Sequence, residues 1–138
     1  MTSEMIMIVD DDQDMREMLA MAVEETGYTP LKAQNGREAL SLLDHHTPVL
    51  VLSDLMMPVM DGRRLYQAMQ KHPIHRHVPF VVVSSFPPRL VMDNNMSPAA
   101  VIQKPFDLMT LIDTIEELLY RPPQQRGSNM SSTQLSTL

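Results

Sequence analysis

The chain has no cysteine and no tryptophan, and its aromatic set is 3 tyrosines and 3 phenylalanines. The missing thiols exclude disulfides, thiolate catalysis and Cys-ligated metals, and they suit a reducing, cytoplasmic setting. There is no basic excess: 11 Lys+Arg stand against 17 Asp+Glu, a formal net charge of -6. That balance excludes sequence-independent nucleic-acid binding, which needs a basic face. Long apolar runs are missing too. The first one is short, stops at three aspartates and follows Met1-Thr2-Ser3-Glu4 with no basic region. It is therefore neither a signal peptide nor a membrane span, and no membrane insertion is expected.

The 138 residues suffice for one domain and a modest tail. The 14 methionines read as flexible filling for an otherwise aliphatic core. From Pro122 onward Gln, Ser, Thr and Asn dominate, so the expectation is a domain over 1–121 and a disordered polar tail or linker over 122–138.

Four apolar runs each end on a polar residue. Met5-Ile6-Met7-Ile8-Val9 meets Asp10-Asp11-Asp12, and Val49-Leu50-Val51-Leu52-Ser53 meets Asp54. Val81-Val82-Val83 meets Ser84-Ser85, and Val101-Ile102-Gln103 meets Lys104-Pro105. Unbroken apolar runs of this length read as strands buried on both faces, the signature of a parallel sheet. A weaker strand over Tyr28 to Ala33 contains Pro30 and is expected at an edge.

Helical spacing recurs between the strands. Met15, Met18, Leu19, Ala22 and Val23 predict a first helix capped by Asp12 or Asp14 and ended by Gly27. Asn35-Gly36 opens a second with Ala39, Leu40 and Leu43; Leu65, Ala68, Met69 and His72 stripe a third. A short or irregular helix is expected within Pro87 to Ala100. Leu108, Leu111, Ile112, Ile115, Leu118 and Leu119 line the last, which stops at Pro122-Pro123. Five such βα units predict an α/β, doubly wound five-stranded parallel sheet with helices on both faces, a three-layer sandwich.

In such a sheet, ligands sit beyond the carboxyl ends of the strands. Asp10, Asp11 and Asp54 should converge there. Two carboxylates about 4 Å apart repel by roughly 4 kcal/mol at an effective dielectric near 20, so the cluster calls for a cation, a lysine or a raised pKa. Hard oxygen ligands favour Mg²⁺, Lys104 supplies a positive point charge, and Ser84 supplies a hydroxyl.

Four motifs in order resemble the receiver domain of bacterial two-component response regulators, of the single-domain, chemotaxis-regulator type, over residues 4 to 121. They are Val9-Asp10-Asp11-Asp12; Asp54-Leu55-Met56-Met57-Pro58-Val59-Met60-Asp61-Gly62; Pro79-Phe80-Val81-Val82-Val83-Ser84; and Lys104-Pro105-Phe106. The resemblance implies a flavodoxin-like strand order 2-1-3-4-5 and a phosphoaccepting switch within a phosphorelay. Asp54 would take a phosphoryl group from a sensor histidine kinase or phosphotransfer protein. Asp10, Asp11, Asp54 and the Met56 carbonyl would hold Mg²⁺, Lys104 would pair with the carboxylate and then the phosphoryl group, and Ser84 would bond a phosphoryl oxygen. It further implies a downstream protein target, a monomer or weak dimer, no DNA-binding output domain, a cis bond before Pro105, and no catalysis beyond its own phosphotransfer and dephosphorylation.

Other readings fit less of the chain. Asp10, Asp12 and Asp14 mimic a calcium-loop start, but Met15 and Met21 stand where that loop needs glycine and glutamate. A hydrolase of the haloacid-dehalogenase kind would use Asp10 and Asp12 and leave Asp54 unexplained. His72, His75 and His77 read as a solvated loop rather than a metal clip, Ser53 and Ser85 as packing or backbone-bonding hydroxyls, and Gly62 as a turn glycine. Three departures from the family pattern favour, as the alternative, a pseudo-receiver scaffold with an altered output face of fourth helix and fifth strand. Val101 stands where an aromatic is usual, Ser97-Pro98-Ala99-Ala100 replaces a Gly-Ala pair, and Ser85 replaces a smaller residue.

Overall fold

Short aliphatic runs and capped amphipathic segments alternate along the chain, and the computed structural model, which describes residues 4–92 and 95–120, resolves them into five βα units. The strands are β1 (Met5–Val9), β2 (Thr29–Ala33), β3 (Leu50–Ser53), β4 (Phe80–Ser84) and β5 (Ala100–Gln103). The helices are α1 (Gln13–Glu25), α2 (Gly36–Leu43), α3 (Gly62–Gln70), α4 (Pro88–Met92) and α5 (Leu108–Leu119). All strand pairings are parallel, in the order β2-β1-β3-β4-β5. This is the doubly wound, flavodoxin-like arrangement. The expected tail over 122–138 lies outside the described residues.

Alternation along each strand divides the core in two. Met7, Val9, Val51, Phe80 and Val82 face one layer with α2, α3 and Val91 of α4. Ile6, Ile8, Leu50, Leu52, Val81, Val83 and Ile102 face the other, with α1 and α5. Both faces are covered, so the strands are apolar throughout.

Side-chain caps fix where the long helices begin. Asp12, Asn35, Asp61 and Asp107 accept main-chain hydrogen bonds at the starts of α1, α2, α3 and α5. Gly27, at φ 92, closes α1 as expected. Three apolar assignments shift. Met18 and Leu108 are each 37% exposed, at the margin of their stripes. His72 lies past the end of α3, whose inward stripe is Leu65, Tyr66 and Met69. Tyr66 fits because its hydroxyl accepts from Ser97 N while its ring meets Phe80 edge-on.

β2 lies at an edge, as Pro30 requires. Thr29 N donates to Glu4 O and Ala33 O accepts from Asp10 N, so the odd-numbered residues bond inward to β1. By the two-residue period, Pro30 and Lys32 point outward.

Candidate functional site

Register decides which strand ends meet. Val9 pairs with Ser53, and Ser53 with Val82, so the next residues, Asp10 and Asp54, leave the sheet side by side. Ser84 pairs with Gln103, which brings Lys104 out of the neighbouring edge strand. Asp54 N donates to Val9 O, and Lys104 N to Ser84 O, locking adjacent strand ends together. The peptide between Lys104 and Pro105 is cis, as expected.

Lys104 Nζ lies 3.1 Å from Asp10 Oδ2 and 3.1 Å from Asp54 Oδ2. Asp10 is wholly buried, and each of its polar atoms is engaged. Its N donates to Ala33 O, its Oδ1 accepts from Asp12 N, and its carbonyl accepts from Arg16 Nη1 at 2.7 Å. Asp54 Oδ1 accepts from Leu55 N at 2.7 Å, while Ser53 Oγ donates to Asp54 O. Ser53 is thus the backbone-bonding hydroxyl expected, whereas Ser85 is exposed.

Asp11 differs from both. It is exposed, and among the described residues its carboxylate has no hydrogen bond or ion pair. Yet carboxylate oxygens of Asp10, Asp11 and Asp54 all lie within 4.8 Å of one another. Three carboxylates against one ammonium leave an excess of two negative charges. Burial raises the Asp10 pKa, against the opposing pull of Asp12 N–H and Lys104. Burial also works against the Lys104 ammonium, but Asp10 and Asp54 together outweigh it and raise its pKa.

The donor set fits a hard divalent cation. Around an octahedral Mg²⁺ with Mg–O near 2.1 Å, neighbouring oxygens are about 3 Å apart and opposite ones about 4.2 Å, so three oxygens within 4.8 Å of one another suit one ion that keeps some of its waters. The donors are all oxygen, and Asp11 is open to bind.

These features sit within a known pattern. A family model described as the response regulator receiver domain matches residues 6–116. The chain belongs to this family. The response regulator receiver protein CpdR of Brucella abortus is 33% identical over 116 residues, 83% of this chain and 95% of that protein. The solved signal receiver domain of a signal transduction histidine kinase from Syntrophus aciditrophicus superposes with a TM-score of 0.77 at 30% identity, covering 94% of this chain and 99% of that one. The chemotaxis response regulator CheY4 of Vibrio cholerae superposes with a TM-score of 0.79 at 26% identity, over 86% of this chain and 100% of that one. This is a receiver domain of two-component systems, a signalling module.

In this receiver the remaining predicted site residues, Ser84 and Met56, lie at or just past the carboxyl ends of β4 and β3. Ser84 is buried at the end of β4, where its hydroxyl accepts from Phe86 N at 3.2 Å. That hydroxyl does not bond to Asp54 or Lys104, which Ser84 meets only through its carbonyl and Lys104 N, and its proton remains to donate. Met56 is 64% exposed on the β3–α3 loop. Asp12 caps α1 through Asp14 N and is exposed, so a hydrolase pairing of Asp10 with Asp12 has no support. The histidine segment is a correction: His75 is buried, its ring stacked on His72 with centroids 4.0 Å apart and its Nε2 against Leu43 O. It packs because a 3-10 turn (His75–His77) folds it back under α2.

Two supporting residues lie outside the expected set. Gly62 N donates to Leu55 O, and a Cβ on Gly62 would collide with the main-chain oxygen of Asp54. Its role is close approach, beyond a simple turn. Arg16 reaches the Asp10 carbonyl. Its only sequence signal is a cation early in a helix, where the macrodipole disfavours one.

Proposed function

We propose that this receiver accepts a phosphoryl group onto Asp54 from a phosphohistidine on a sensor histidine kinase or phosphotransfer protein, and signals to a protein target through the modified form. The observation that carries the reading is Lys104 bridging Asp10 and Asp54 at 3.1 Å each, with the open carboxylate of Asp11 alongside. Asp10, Asp11, Asp54 and the Met56 carbonyl would hold Mg²⁺, which when bound neutralises charge on the phosphoryl oxygens. A carboxylate oxygen of Asp54 attacks phosphorus in line. The P–N bond breaks, its electron pair returns to the imidazole, and that nitrogen takes up a proton. Lys104 holds the attacking carboxylate in place and remains beside the new acyl phosphate as a counter-charge. Ser84 would then turn its proton toward a phosphoryl oxygen, one bond rotation from its present contact.

Incubation with Mg²⁺ and acetyl phosphate should add the mass of one phosphoryl group, and Asp54→Asn should abolish the gain. A wild-type chain that stays unmodified would defeat the reading.

One observation favours a second reading, a binding scaffold with an altered output face. Val101, where an aromatic is usual, is half-buried against the core layer holding Tyr66, Val91 and Met96. A short packed side chain has little reach for a large rotation. Equal target affinity with and without acetyl phosphate would select the scaffold.

A further inference from the structure

We infer that Arg16 is a positioning residue for the metal ligand Asp11, acting through the peptide that joins Asp10 to Asp11. This rests on the reading of Asp10, Asp11 and Asp54 as a Mg²⁺ site. Arg16 follows Asp12 and Asp14, two exposed acids, yet forms no ion pair with any carboxylate among the described residues. Its guanidinium instead donates to the main-chain carbonyl of Asp10 at 2.7 Å, a short charge-assisted bond. Its own N–H makes the first helical bond of α1 to Asp12 O at 2.9 Å, as any residue there would, so the guanidinium contact is what the side chain adds.

The peptide plane explains the reach of that bond. The Asp10 carbonyl and the Asp11 N–H belong to one rigid unit. Fixing the oxygen fixes ψ of Asp10, and with it the place of the Asp11 Cα from which that side chain departs. Asp10 and Asp54 have other tethers, through Lys104, Asp12 N and Leu55 N. The Asp11 carboxylate has none, so its aim depends on the main chain that Arg16 holds.

Charge and position predict opposite signs, which makes the inference testable. A nearby cation by itself opposes Mg²⁺, so deleting it would tighten binding. Loss of positioning would weaken binding. The experiment is titration of Mg²⁺ into wild type, Arg16→Met and Arg16→Lys by calorimetry, with unfolding in EDTA as a parallel readout. The expected result is a Kd about 5- to 10-fold weaker in Arg16→Met, with partial recovery in Arg16→Lys, whose single ammonium can still reach the carbonyl; second contacts around metal sites carry effects of roughly 10-fold or more. An unchanged or tighter Kd in Arg16→Met overturns the inference, including when stability in EDTA falls. A wild type that binds no Mg²⁺ defeats the metal-site reading itself, a result distinct from a wild type that binds while Arg16→Met binds equally well.

Discussion

At the scale of single residues, the site is an electrostatic compromise made before any ligand arrives. Lys104 serves two carboxylates, one wholly buried, and those carboxylates are what hold the lysine charged against its own burial. Removing the ammonium leaves like charges together in a low-dielectric setting. Lys104→Met is therefore expected to lose about 3 kcal/mol of stability in EDTA, the usual cost of stranding one partner of a buried pair. Adding Asp10→Asn to it should return a large part of that loss. Urea unfolding of the two variants checks both; a lysine deletion with no cost would mean that solvent already screens the cluster. The charged types here were legible in the sequence, because each follows an apolar run. The direction of the Ser84 hydroxyl was not, since residue type cannot tell a bond within the turn from a bond across the site.

At the scale of elements, the β3–α3 loop depends on α3 starting hard against β3. Gly62 is where the start of α3 touches the main chain of Asp54 and Leu55, just past β3. Gly62→Ala is expected to push the loop off Asp54 O, costing about 3 kcal/mol or more by the strain of overpacking at a fixed backbone contact. It should also slow phosphorylation by acetyl phosphate at least 10-fold, through displacement of Asp54. Parallel measurement of the urea midpoint and the labelling rate tests this; a normal rate in a folded variant would show that the loop adapts. The contact itself could not be read from sequence, where Gly62 resembles any turn glycine before a helix. α1, α2, α3 and α5 were legible from their apolar stripes, whereas the caps at Asp61 and Asp107 were not read from the sequence. α4 was expected as a short or irregular helix within Pro87 to Ala100 and is one, but its bounds were not legible: it has five residues, opens on Pro87-Pro88, and shows one buried position, Val91. The stripe of α3 was misjudged at His72 because helical spacing continues past the point where the Lys71 N–H closes the helix.

At the scale of the whole molecule, His75 links separate segments: its Nε2 meets the Leu43 carbonyl at the end of α2, and its ring stacks on His72 just past α3. Burial lowers its pKa from the ordinary 6.5, and the stacked His72 adds to the effect. The folded state thus prefers the neutral ring, whose Nδ1 has no hydrogen-bond partner among the described residues. The unfolded chain takes up the proton first as pH falls. Stability from this group is complete above pH 6.5 and is lost as pH drops from there through the lower folded-state value. Denaturation midpoints measured down that range should fall in wild type and fall less in His75→Gln, which cannot titrate. Equal slopes would assign the acid sensitivity elsewhere. The same long view gives Pro30 a meaning beyond tolerance. Along the outer margin of β2, the N–H of Tyr28 is committed to Val23 O and that of Gln34 to Glu38 Oε1. Pro30 has none to give, so among the described residues only Lys32 offers a main-chain donor there, beside a charged side chain. A foreign strand arriving at this flank finds few rungs to climb, so lengthening of the sheet on that side is disfavoured.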